Sequence, residues 1–112
     1  MLELVRLYHE HGLTLTAGSD LPNQFVVPGL SLHQELELLA QTGLPALTVL
    51  RMATRNGAEA LGALDRIGTA EVGKLADLVV LSADPLADIR NTRRIEAVVR
   101  HGRLFRPWDL MA

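Results

Sequence analysis

Residues 13–17, the start of "LTLTAGSDLP", form a short run of leucine, threonine and alanine set between two helical stretches. A run of this kind, closed by glycine, is predicted to be a strand buried on both faces, as in parallel sheets. Such a strand needs a neighbour along each edge to satisfy its backbone N–H and C=O groups. The later strand candidates arrive as hairpins after a series of helices and are poorly placed to serve it. The stretch therefore reads as one βα unit of a larger repeating sheet. Beyond Gly18 and Ser19 comes an acid, Asp20, two residues before Pro22.

The flanking segments carry helical spacing. In "MLELVRLYHEHG", Met1, Leu4, Val5 and Tyr8 fall on one face, which is expected to be buried, and Gly12 suits a C-cap. Residues 21–30 hold two prolines and no period, so they are expected to form a loop. Ser31 and Gln34 read as a capping box opening a helix whose buried stripe is Leu32, Leu36 and Leu39, ending at Gly43. Pro45 is expected in the first turn of a second helix running to about Thr54. Asn56 and Glu59 read as the cap of a short third helix to Leu61.

After Gly62 the texture changes to short apolar runs broken by Gly68, Gly73 and Pro85. "RRIEAVVRHGRLFRP" reads as strand, turn and strand, with His101–Gly102 at the bend, where positive φ is wanted. Helices followed by hairpins make either an α+β domain or the joint between two domains.

With 112 residues, 48% hydrophobic residues and a net charge of −2, the chain suits a globular domain and lacks the basic stripe of a nucleic-acid binder. No apolar run reaches the roughly 20 residues of a membrane span. Met1 opens no leader pattern, so a cytoplasmic location is expected. With no cysteine, metal chemistry would fall to oxygen and imidazole.

Asp20 is the leading candidate for chemistry. At the end of a barrel strand, a carboxylate can bind a divalent cation or take a proton from bound water; it can equally cap a turn. "HEH" at 9–11 invites a zinc reading, but residues two apart on a helix diverge by about 200°, and histidine near a helix C-terminus suits the dipole. His33, in a first turn expected to face the same rim, is left without a role. Ser19 has no local base and is not a nucleophile. Asp77 is expected to tie the Gly73–Lys74 turn, and Asp84 and Asp88 to act as turn and cap residues. The basic run "RNTRR" at 90–94 reads as a solvated loop.

Three segments in order resemble the metal-dependent amidohydrolase superfamily, with a flavour closest to imidazolonepropionase-like and Xaa-Pro-dipeptidase-like members. "TAGSD" resembles the end of the eighth barrel strand, and "PGLSLHQELELLAQTGLPALTVLRMATRNGAEALG" the helices after it. "IGTAEVGKLADLVVLSADPLADI" with "RIEAVVRHGRLF" resembles the returning strands of a small β-sandwich. The resemblance implies an incomplete α/β fold, the last βα unit of a TIM-type barrel over 1–62 and β-sandwich strands over 63–112.

It further implies C–N bond hydrolysis of a small-molecule amide or cyclic amide by metal-activated water. Asp20 would be both the metal ligand and the catalytic proton shuttle. The complete enzyme would carry a divalent metal, zinc by expectation, whose other ligands come from earlier strands. This chain alone is expected neither to hold that metal tightly nor to be active. The alternative is a stand-alone, non-catalytic assembly or binding domain. Neither nucleic acid nor membrane is expected as a partner, and the open strand edges lead us to expect oligomers.

Overall fold

Five α-helices, a 3-10 helix and three strands follow one another in a computed structural model that describes residues 2–20 and 29–110. Helix α1, Leu2–Glu10, stops where Gly12 takes φ 76. The Gly12 N–H donates to His9 O at 3.0 Å and the Leu13 N–H to Tyr8 O at 3.1 Å. These paired closing bonds are a Schellman motif, and the left-handed residue it needs is the glycine.

The expected burial of α1 is corrected. Leu4 is 46% exposed and Tyr8 42%. Only Val5 packs against the core, half-buried. The apolar stripe is present on the helix, but among the described residues only its Val5 is covered. Met1 lies outside the described residues, as does most of the loop expected at 21–30.

Residues 13–19 run without helix or turn and join no sheet among the described residues. The period-two alternation of a strand is there: Leu15, Ala17 and Ser19 are half-buried, while Thr14, Thr16 and Gly18 are exposed. A strand is defined by its partner, and here the run is tethered to helices instead. The Ala17 N–H donates to Met52 O at 3.1 Å, and Asn56 Nδ2 donates to Leu15 O at 2.9 Å.

Helix α2 is Leu30–Gln41, α3 is Ala46–Ala53 and α4 is Arg55–Ala60. Several expected caps are displaced by a residue or two. Gly29, with φ 83, stands at the N-cap of α2 without a side-chain cap bond. Ser31 therefore falls inside the first turn rather than at the N-cap of a capping box; its buried Oγ has no hydrogen-bond partner among the described residues. Leu36 and Leu39 are buried as expected, but Leu32 is 40% exposed. Pro45 is the N-cap of α3 rather than a first-turn residue. Asn56 sits within α4, spending its amide on Leu15 rather than on a cap.

The main core gathers Leu36 and Leu39 of α2, Leu44 from the link before α3, Val49 and Met52 of α3, and Ile89. Val49 and Met52 are the most fully buried side chains among them. Leu15 and Ala17 pack against this cluster, so the extended run is held by side chains as well as by two hydrogen bonds. Gly68 makes a second close contact. Its φ is 97, and a Cβ placed there would stand 2.6 Å from that of Ala58 on α4.

Strands β1 (Leu78–Leu81), β2 (Ile95–Arg100) and β3 (Arg103–Phe105) form one antiparallel sheet in the order β1-β2-β3. The β2–β3 turn is as expected: His101 has φ 50 and Gly102 φ 80, the double positive φ of a two-residue hairpin. Asp77 does not tie the Gly73–Lys74 turn. Its Oδ1 instead accepts the His101 N–H at 2.8 Å, clamping the start of β1 to the hairpin bend.

Between β1 and β2 runs the 3-10 helix Ile89–Arg93, capped as expected by Asp88, whose side chain accepts the Arg90 N–H. Asp84 accepts the Leu86 N–H at 2.8 Å, the expected turn role.

Candidate active site

The extended run delivers Asp20 to its end, where the chain turns with φ 56. A left-handed residue at that point is sterically unusual except for glycine, asparagine and aspartate. The backbone thus bends sharply at the acid. The Asp20 side chain is exposed. The elements behind it are firm: Ala17 is fixed to α3 through Met52, and Leu15 to α4 through Asn56. Asn56 was legible only as a cap from its sequence position; nothing local signals a tether 41 residues away.

The other candidates are dispersed. His11 Nδ1 donates to Leu7 O at 2.9 Å, a bond closing its own helix end, in line with the helical reading of "HEH". His33, in the first turn of α2, shares a 2.9 Å hydrogen bond with Thr92 Oγ1. Burial, followed by the nearby Arg93 charge, pushes its pKa below 6.5, and Glu37 partly offsets this. The basic run at 90–94 is largely ion-paired, with Arg90 on Asp88 at 2.7 Å and Arg93 on Glu37 at 2.6 Å.

Among the described residues, no three or more histidine or carboxylate side chains come together as a metal site. A catalytic zinc takes three protein ligands and keeps one open position. Asp20 alone does not meet that requirement, so the described residues do not by themselves fit a resident cation. None of the described helices is long and apolar enough to cross a membrane.

The fold that carries this run, with α2–α4 and the small antiparallel sheet, is shared with known proteins. The amidohydrolase family model matches residues 2–105, and the chain belongs to that family. An imidazolonepropionase of Mesorhizobium japonicum is 33% identical over 103 residues, 91% of this chain and 24% of that protein.

A 5-methylthioadenosine/S-adenosylhomocysteine deaminase of Syntrophobacter fumaroxidans is 60% identical over 43 residues, 38% of this chain and 10% of that protein. Among solved structures, a Xaa-Pro dipeptidase with bound methionine superposes with a TM-score of 0.85 at 28% identity. It covers 94% of this chain, which spans 25% of the dipeptidase. The chain thus spans a tenth to a quarter of the length of these relatives.

Proposed function

We propose that this chain supplies the Asp20 end of an amidohydrolase active centre. Family membership supports hydrolysis of C–N bonds as the reaction class. In this reading residues 13–17 are the last strand of a (β/α)8 barrel, and Asp20 stands just beyond it at the catalytic face. The carboxylate accepts a proton from the attacking water and passes it to the departing nitrogen, a transfer worth about 10²- to 10⁴-fold in rate. In the complete enzyme Asp20 would also offer one oxygen ligand to a divalent cation, zinc by expectation, which would supply the Lewis acid that activates the water. The remaining ligands belong to the part of the relatives' length that this chain does not span. The substrate is a small amide, cyclic amide or ring-bound amine.

The observation that carries this reading is the bend at Asp20 behind an extended run fixed to α3 and α4, inside a family match covering residues 2–105. The test is a chimera in which this chain replaces the matching quarter of the Xaa-Pro dipeptidase. The chimera is expected to cleave Xaa-Pro dipeptides, and Asp20→Asn to lower kcat by about 10²-fold or more while the circular dichroism spectrum is unchanged. Equal activity of the two chimeras would remove Asp20 from the reaction.

A second reading, a non-catalytic assembly domain, draws support from the exposed apolar residues of α1 and β1. A folded chimera without activity, together with a stable complex of the 112-residue chain, would favour it.

A further inference from the structure

Helix α2 and the 3-10 helix meet along a face that is apolar at its centre and polar at its margin. In a 3-10 helix, residues three apart eclipse one another. Ile89 and Thr92 are so related; both are buried, at 9% and 7% exposure, and Ile89 joins Leu36 and Leu39 in the core. On α2, His33 and Glu37 are four apart and share a face. His33 Nδ1 lies 2.9 Å from Thr92 Oγ1, and Glu37 Oε1 lies 2.6 Å from Arg93 Nε. Two adjacent residues of one element thus bond two same-face residues of the other, across 59 and 56 positions of chain.

We propose that the His33–Thr92 hydrogen bond and the Glu37–Arg93 ion pair form an acid-sensitive clasp, by which α2 holds the 3-10 helix at neutral pH and loosens it when His33 takes a proton. With Nδ1 unprotonated, the ring accepts the Thr92 hydroxyl proton. Protonation turns that nitrogen into a donor, so the hydroxyl must rotate to accept from it and its own proton is left without the acceptor it had. It also places a new positive charge in a half-buried position beside Arg93.

The charged groups acting on the ring are Arg93 from the 3-10 helix, which opposes protonation, and Glu37 from α2 itself, which favours it. Burial and Arg93 prevail, so the ring is neutral at pH 7. A base whose folded pKa is depressed contributes stability above its unfolded pKa and loses it as pH falls through the folded value. The clasp therefore weakens below the ordinary 6.5 of histidine.

Amide hydrogen exchange on the 112-residue chain, corrected for intrinsic rates, tests this between about pH 7.5 and 5. Protection over 89–94 and the first turn of α2 is expected to fall together, at least about twofold, with the midpoint of the His33 ring titration followed by NMR. His33→Asn keeps an acceptor near the Nδ1 position but cannot titrate, and its protection is expected to stay flat. Thr92→Val is expected to lower protection at every pH and to shrink the pH dependence. Constant wild-type protection across the range would overturn the clasp. So would an equal fall in His33→Asn, since the other histidines would then be responsible.

Discussion

Single residues set this structure wherever a side chain or its absence meets a backbone constraint. Gly68 combines positive φ with contact to Ala58. Gly68→Ala is expected to destabilise the chain by about 1–3 kcal/mol, through overpacking and left-handed strain, read from urea unfolding. Asp88 is held by the Arg90 side chain and then by the Arg90 N–H, which lower its pKa to about 2 from the usual 3.8. A depressed carboxylate contributes stability above its unfolded pKa and loses it as pH falls through the folded one. The Asp88 contribution should therefore fade between about pH 4 and 2, with the carboxyl titration by NMR centred near the lower limit; a midpoint near 4 would dissolve the pairing. Its cap role was legible because an Asx side chain bonds the N–H two residues on, within the local sequence. Asn56 and Asp77 were misread for the opposite reason. Their partners, Leu15 and His101, are remote in the chain, so the local pattern pointed to the wrong cap or turn.

Among the elements, periodicity placed α1 to α4 to within a few residues, and the His101–Gly102 pair marked the β2–β3 bend; the 3-10 helix Ile89–Arg93 carried no such signal. Periodicity did not reveal which apolar stripes find cover. Helix α1 carries the pattern of a buried face yet leaves Leu4 and Tyr8 open, because periodicity reports a wish for burial and not the neighbour that grants it. The same limit applies at 13–20, whose alternation is that of a strand without a ladder. The Asn56 side chain ties this run to α4, as the Ala17 N–H ties it to Met52. Asn56→Ala should cost about 1 kcal/mol and raise amide exchange over 14–18 before it does so in α2. Uniform loss of protection across the chain would show that the run is not a separate unit.

For the molecule as a whole, the surface is the informative quantity. A folded monomer of 12.2 kDa is expected to expose about 6,000 Å². This chain exposes 8100 Å². The excess, about 2,000 Å², is more than twice the roughly 800 Å² that each partner of a standard interface buries. Much of it is apolar: Leu2, Leu4 and Leu7 on α1, and Leu78, Val79 and Val80 on β1. The chain at micromolar concentration is therefore expected to associate, giving a light-scattering mass above 12.2 kDa that rises with concentration. A concentration-independent monomer would contradict this. Equilibrium dialysis against zinc is expected to leave the chain without stoichiometric metal, in keeping with the lack of a three-ligand group among the described residues.

The clamp of Asp77 on the His101 N–H, with the Gly102 N–H bound to Ala76 O at 3.1 Å, carries a kinetic consequence. A two-residue hairpin closes within about 1–10 μs. The β2–β3 bend can therefore be in place before β1 arrives, and its amides then serve as a ready dock for the residues leading into β1. The order of assembly would be hairpin first and third strand second, with one carboxylate timing the step between them.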